Sequence, residues 1–480
     1  MQIRDTLTSL AQELLGKNFL KKVDFSEISN ELHRPKDAAA GGVVQEQEPE
    51  FDPATIEILP EYRFIVEAIN QSCSGIFVTG KAGTGKSTLI KYLKSVVKNI
   101  AVVAPTAIAA INVEGVTIHS FFGIPPRPIN PDEVFEPRAS MAPVFENLKV
   151  LIVDEVSMVP PDIVDCIHNS LMKAKRNELP FGGVTVIFVG DILQLPPVVQ
   201  DGEVAKFYTD FYESQYFYSA HVFGKVGIIP VELTRVFRQT DKEFVDALSR
   251  IRINREHRES VALLNRSCYR DRPADAVEDS LFLVPTNAMA RSINERRLDL
   301  IDSQMHQFDA QISEAIQRDK MRFPAPATLN LKIGARIIFV HNNKPFWHNG
   351  TLGEIVEIDN DFLKIKITES GNIVPVSRHT WKKYKYTYDF NEKRISSEEI
   401  GSYVQFPISL GWAITIHKSQ GMTLERVHID LGNGAFCPGQ TYVALSRCKT
   451  IAGLSLAQPI SMSDVIVDAT AIGFYERLRA

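Results

Sequence analysis

The segment GKAGTGKS, Gly80 to Ser87, constrains this chain more than any other stretch. It fits G-x-x-x-x-G-K-[ST], follows the apolar run Ile76–Thr79 and opens a helical pattern at Lys86. A strand feeding a tight loop into a helix N-terminus aims successive backbone N–H groups at a phosphate. Gly80, Gly83 and Gly85 let the backbone turn tightly, and with Ala82, Thr84, Lys86, Ser87 and Thr88 they form the expected cradle for ATP. Lys86 would reach the β- and γ-phosphates, and Ser87 would ligand Mg²⁺.

The rest of the chain supports an α/β reading. Short apolar runs (NIAVVAP, KVLIVDE, VTVIFVGD) alternate with helical segments, as in a parallel sheet covered on both faces. The pattern repeats in LFLVPT, Asn287–Leu300, ARIIFV, RVHIDL and Gln440–Ser446, which predicts a second α/β domain. Between them, TLGEIVEID and FLKIKIT alternate apolar and polar residues, the mark of antiparallel strands. The expected layout is a helix and linker over 1–50 and a first domain over 51–245. A second domain follows over 246–344 and 404–480, with a β insert over 345–403. A length of 480 residues accommodates these parts.

A net charge of −5 gives no global basic signature, although a local basic groove suffices to hold nucleic acid. The apolar runs are too short for a membrane span, and Asp5 and Glu13 interrupt the N-terminal pattern expected of a leader. The five cysteines are scattered without a C-x-x-C pair, so buried free thiols are expected.

Two further strand ends carry polar chemistry. VLIVDEVS ends in Asp154 and Glu155, at the crevice where open α/β sheets bind ligands. Asp154 would hold Mg²⁺, and Glu155 would polarise the attacking water. In VGDILQLPPV, Asp191 and Gln194 are polar in an apolar setting; Gln194 can contact both the γ-phosphate and the water, or belong to an ordinary turn.

The ordered series Ala104–Gly123, Leu233–Arg252, Pro285–Leu298, Ile414–Leu424 and Gly439–Thr450 resembles the motifs of superfamily 1 helicases. Within them the chain is similar to the Pif1-like branch, with Asp162–Arg176 a loose version of that branch's signature. The resemblance implies two RecA-like P-loop domains with ATP between them, and an SH3-like β-barrel inserted in the second. It implies a 5′→3′ DNA helicase acting on single-stranded DNA and on single-strand/duplex junctions, a monomer on DNA, with G-quadruplexes and RNA–DNA hybrids as further substrates. A bacterial member would work in the cytoplasm at the nucleoid. A translocase without general duplex unwinding and a slow nucleotide-gated DNA clamp are the rival readings.

Carried onto this sequence, the resemblance makes Arg238 and Arg447 the arginines that reach the γ-phosphate, where the bland alternative is a surface ion pair. It points Pro105, Thr106, His119 and Phe121 of the first domain, and Thr286 and Asn287 of the second, at DNA, although Phe121 and Phe122 also suit a core. It makes the Pro-rich element near 121–145 a pin that splits the duplex. In ITIHKSQGMTL, Ile414 and Ile416 should pack inward while His417, Lys418 and Ser419 face the phosphate backbone. Gln420 and Gly421 would then turn toward the ATP cleft. Tyr62 could stack on the adenine. The aromatic and basic run Arg378–Phe390 suits either DNA contact or an amphipathic hairpin.

Overall fold

The computed structural model describes residues 56–479, apart from 126, 132, 136–137, 198, 200–202, 240, 270–279, 315–322, 344–345 and 390–393. The helix and linker expected over 1–50 lie outside the described residues, as do parts of the element near 121–145.

The first domain is built on β1 (Gly75–Gly80), β2 (Ile100–Ala104), β3 (Val116–Thr117), β4 (Val150–Val153), β5 (Thr185–Val189) and β6 (Ile228–Leu233). Among the described residues they form one parallel sheet in the order β3-β2-β4-β5-β1-β6. β1, β4 and β5 are buried at every position, because helices cover both faces. Ile76, Val78, Ile152 and Ile187 face α1 (Pro60–Asn70) and α2 (Lys86–Val96). Phe77, Val103, Val153 and Phe188 face the opposite layer. That layer contains α4 (Ile118–Phe122), α5 (Ala142–Asn147) and α6 (Pro161–Lys175), with α3 (Ala107–Asn112) preceding them in the chain. β6 was not expected from the sequence, because Pro230 interrupts its pattern. Proline lacks an N–H and is tolerated at a sheet edge, and β6 is an edge strand.

The signature segment is α6, and its acidic side chains tie loops to the domain. Asp162 accepts the Ile129 N–H (2.9 Å) and the hydroxyl of Tyr208 (3.1 Å), which lies on α7 (Glu203–Phe211). Asp165 accepts the N–H groups of His221 and Val222 at 3.0 and 2.9 Å.

The second domain opens with α8 (Lys242–Ile253), α9 (His257–Cys268), β7 (Leu281–Val284) and α10 (Asn287–Asp299). The chain then leaves the sheet through a series of strands: β8 (His306–Asp309), β9 (Gln311–Ile312), β10 (Thr328–Leu331), β11 (Arg336–Phe339), β12 (Leu352–Ile358), β13 (Phe362–Ile367), β14 (Ile373–Ser377), β15 (His379–Asp389), β16 (Arg394–Gln405) and β17 (Ile408–Leu410). It returns as β18 (Ala413–Thr415), β19 (Val427–Ile429), α11 (Gln440–Leu445), β20 (Leu454–Leu456) and α12 (Ala469–Arg479). The parallel order β18-β7-β19-β20 makes this the second α/β unit.

The excursion is wider than 345–403, since its strands run from His306 to Leu410. Its antiparallel sheet β14-β13-β12-β11-β17 buries Ile337, Ile355, Ile365 and Val376 on one face. The hairpin β15–β16 reaches across to pack on α5 and residues 139–141 of the first domain. Trp381 on this hairpin is buried in the core of the second domain, so it offers no open face to a base.

The placement of α12 corrects the expected domain division. It joins the first domain's core instead of ending the second. Phe474 stacks on Tyr218 (centroids 4.0 Å apart, planes 9° apart) and lies 5.9 Å from Phe77. Charge and apolar residues alternate too irregularly in this last helix to show where it docks. Phe474→Ala should lower stability by about 3–5 kcal/mol in denaturant unfolding, as expected for truncating a buried ring; a change within about 0.5 kcal/mol would make the helix peripheral.

Candidate functional site

The loop between β1 and α2 has the conformation its glycines predict. Gly83 and Gly85 have φ of +79° and +89°. A Cβ on Gly83 would fall 2.4 Å from that of Arg238, so glycine is required there for packing as well as for φ. Lys86 Nζ donates to the carbonyls of Gly80 (2.7 Å) and Lys81 (3.0 Å). Burial lowers the Lys86 pKa, and the carboxylates of Asp191, Glu155 and Asp154 oppose that shift. Gly80 ends β1, Ala82 and Thr84 lie in the loop, and Ser87 and Thr88 lie in the first helical turn, with Ser87 exposed.

Tyr62 is not free to stack on a base. It is 2% exposed, donates its hydroxyl to Gly85 O at 2.9 Å and stacks on Tyr92. Burial pushes this hydroxyl up to about 12, so it acts as a fixed donor that braces the loop.

Asp154 and Glu155 end β4 beside the loop. Asp154 is buried, and burial together with neighbouring Glu155 pushes its carboxyl up to about 8. Glu155 is half-buried with φ 47° and ψ 43°, a left-handed conformation worth about 1–3 kcal/mol of local strain. That kink turns the chain out of the strand at the crevice.

The second domain meets this loop directly. The Ala82 N–H donates to Tyr442 Oη of α11 at 3.1 Å, and Lys81 Nζ donates to Ser249 Oγ of α8 at 2.7 Å. Just ahead of α11, a Cβ on Gly439 would lie 2.5 Å from the carbonyl oxygen of Gln194. Arg238 and Arg447 approach each other here. Arg238 Nη1 donates to Ser446 O at 3.3 Å, and neighbouring Gln239 donates to Ser446 O and Cys448 O. Arg447 is 2% exposed; it donates to Val443 O (3.0 Å), Ser446 Oγ (2.9 Å) and Ser419 O (3.4 Å). Burial, followed by repulsion from Arg447, pushes Arg238 down to about 9, and burial also lowers Arg447. Neither guanidinium pairs with a carboxylate among the described residues.

Gln194 is buried at the same seam, with Nε2 3.4 Å from Asp191 Oδ2. The sequence reading missed two contributors, Tyr442 and Arg252. Arg252 makes a bidentate pair with Asp191. Its signal was a charged residue beside the apolar stripe Phe244, Leu248 and Ile251, which sequence alone does not separate from a solvated helix face.

The residues expected at DNA divide. Thr106 and Thr286 occupy matching places in the two domains: each follows a strand, is exposed, and caps the next helix by accepting an N–H, from Ala109 and Met289 respectively. Pro105 and Asn287 flank them, and Asn287 is exposed. His119 is half-buried on α4, where burial lowers its pKa, and burial lowers that of His417 as well. Phe121 must be corrected: it is 4% exposed and packs against Phe122 and Phe145 at 5.0 Å, so it supports α4 from the core. Ser419 is also corrected. It is fully buried and donates to Ile416 O at 2.7 Å, while Lys418 beside it is exposed.

Comparison with known proteins agrees with this geometry. Residues 60–255 match the model of the PIF1-like helicase family. The chain is 31% identical to the ATP-dependent DNA helicase Pif1 of Bdellovibrio bacteriovorus over 88% of this chain and 92% of that one. It is 30% identical to the ATP-dependent DNA helicase PIF1 of Emericella nidulans over 87% of this chain, and spans 62% of that longer relative. The crystal structure of Bacteroides sp Pif1 in complex with ADP-AlF4 matches with a TM-score of 0.81 at 36% identity, covering 88% of this chain and 97% of that one. The Bacteroides Pif1 helicase in complex with ADP-AlF3 and ssDNA matches over 88% and 98% at 35% identity, with a TM-score of 0.64. The chain belongs to the PIF1-like helicase family.

The Asp154 environment predicts a pH dependence. Its folded pKa lies above the unfolded value, so the folded state holds an extra proton between about pH 4 and pH 8 and loses stability as pH rises through that window. Nucleotide-free Asp154→Asn should therefore melt above the wild type at about pH 8.5, with a much smaller gap at about pH 5 that closes near pH 4; an equal difference at about pH 8.5 and about pH 5 would contradict the assignment.

Proposed function

We propose, from this family membership and the cleft geometry, that the chain is an ATP-driven 5′→3′ motor that moves along single-stranded DNA and unwinds duplex DNA. The observation that carries the reading is the meeting of Arg238 and Arg447 beside the P-loop without a carboxylate partner. A half-buried and a buried cation so placed call for an anion, and a γ-phosphate held by Lys86 would supply it.

In this reading Lys86 and the N–H groups of Gly83 to Thr88 hold the phosphates, and Ala82 closes the loop against Tyr442. Glu155 takes the proton of the attacking water, and Gln194 orients that water. Arg238 and Arg447 stabilise the charge of the transferring phosphoryl group, a term worth roughly 10³–10⁵ in rate for an arginine delivered this way. Ser87 and Asp154 fit a Mg²⁺ ion: burial holds the Asp154 carboxyl largely protonated until a cation takes the proton's place. Bound there, the ion supplies neutralisation of the phosphate oxygens. Both halves of the ATP site come from one chain, which supports a monomer as the motor unit.

Pro105, Thr106 and His119 of the first domain and Thr286, Asn287, His417 and Lys418 of the second are the residues proposed to track single-stranded DNA. The excursion 306–410 would be an SH3-like element over that strand, and the element near 121–145 the pin at a single-strand/duplex junction. G-quadruplexes and RNA–DNA hybrids are proposed as further substrates, and the nucleoid as the site of action in a bacterial cell. Among the described residues no helix is long and apolar enough to cross a membrane.

Opening each base-pair step costs about 1.4 kcal/mol, so stepping must be tied to hydrolysis. ATP turnover should rise at least about tenfold on adding single-stranded DNA, and Lys86→Ala should remove turnover while DNA binding stays measurable. Duplexes with a 5′ tail should be unwound and those with only a 3′ tail should not; the reverse preference would refute the polarity. Lys418→Ala should lower the DNA-stimulated rate about fivefold more than the basal rate, through loss of a phosphate contact; equal losses would assign the segment to the ATP site alone.

A further inference from the structure

We infer that Arg252 is a positioning residue for hydrolysis, transmitting closure of the second domain to Gln194 through the carboxylate of Asp191. The inference rests on the ATPase reading above. Arg252 Nε lies 3.1 and 3.0 Å from the two Asp191 oxygens, and Nη2 lies 2.7 Å from Oδ1. The two side chains are 1% and 0% exposed, so solvent does not screen the pair. Burial works against both charges, but each partner holds the other ionised: Asp191 is lowered and Arg252 raised.

Stability alone gives no reason for such a pair. An apolar pair of similar volume is often at least as stable, because desolvating two ions offsets much of their attraction. Location supplies the reason. Asp191 follows β5 in the first domain, accepts the Leu193 N–H at 3.2 Å and faces the Gln194 amide. Arg252 lies on α8, whose Phe244, Leu248 and Ile251 belong to the core of the second domain. The pair therefore spans the cleft and ends on the residue proposed to orient the water.

The same helix touches the other side of the nucleotide loop. Ser249 accepts from Lys81 Nζ at 2.7 Å and stands three residues before Arg252, on the same helix face. Behind Arg252, the Tyr475 ring lies 4.7 Å from the guanidinium carbon, and the Tyr475 hydroxyl donates to Glu232 on β6 at 2.7 Å. The guanidinium is thus fixed by α12 on one side and presented to Asp191 on the other.

The test is ATP turnover on saturating single-stranded DNA for wild type, Arg252→Lys and the double variant Asp191→Asn/Arg252→Gln. Fluorescent-nucleotide binding and melting temperature are measured on the same samples. The double variant leaves no isolated buried charge and keeps the fold testable if the lysine variant fails to fold. Both variants should lose about 100-fold in kcat, as expected when a water-orienting group is misplaced. KM and nucleotide affinity should stay within about threefold, and the double loss should not exceed the single one. A double variant that hydrolyses at the wild-type rate, or a raised KM at unchanged kcat, overturns the inference alone. A wild-type chain without turnover removes the ATPase reading and this inference with it.

Discussion

Two guanidinium groups that pair with no carboxylate among the described residues, half-buried Arg238 and buried Arg447, are the constraint on which the rest of the structure depends. Their donors rest on carbonyl and hydroxyl oxygens, and the nearby carboxylates of Glu155 and Asp191 offset only part of the cost of burying the charge. Repulsion between them adds to the cost of burial, and Arg238 is pushed down to about 9. Arg238 follows β6 at the edge of the first domain's sheet, and Arg447 follows α11, between β19 and β20 of the second. An anion in the cleft therefore favours the closed arrangement, and its loss weakens it.

The contacts around Arg447 show how such closure can reach a nucleic-acid strand. Its Nη1 donates to Ser419 O, and its own carbonyl accepts the Leu424 N–H at 3.0 Å. The segment Ile414–Leu424 is thereby tied to the arginine at two points. Its exposed Lys418 faces outward, and a Cβ on Gly421 would lie 3.6 Å from Asn112 Nδ2 on α3, the helix that Thr106 caps. Four consecutive polar residues are thus divided: Lys418 exposed, Ser419 in the wall, and His417 and Gln420 half-buried between them.

The sequence made legible what depends on local spacing. The P-loop, the acidic end of β4 and the parallel strands follow from motifs whose chemistry fixes residue type and order, whereas the two arginines were singled out only by the family resemblance. What it hid depends on tertiary packing. Phe121, Tyr62, Trp381 and Ser419 have side chains suited to a ligand, yet each is buried against neighbours distant in sequence. Pro230 disguised an edge strand as a break, and α12 carried no local sign that it returns to the first domain. Arg252 was hidden for the same reason: its partner Asp191 lies 61 positions away.

The most direct test of the central claim is the affinity of the chain for ADP–aluminium fluoride relative to ADP, by equilibrium titration in wild type, Arg238→Gln and Arg447→Gln. If the paired arginines exist to meet a transferring phosphoryl group, wild type binds the mimic at least about 100-fold more tightly than ADP, and removing either arginine erases most of that gap. A variant that keeps the full wild-type preference would contradict the account.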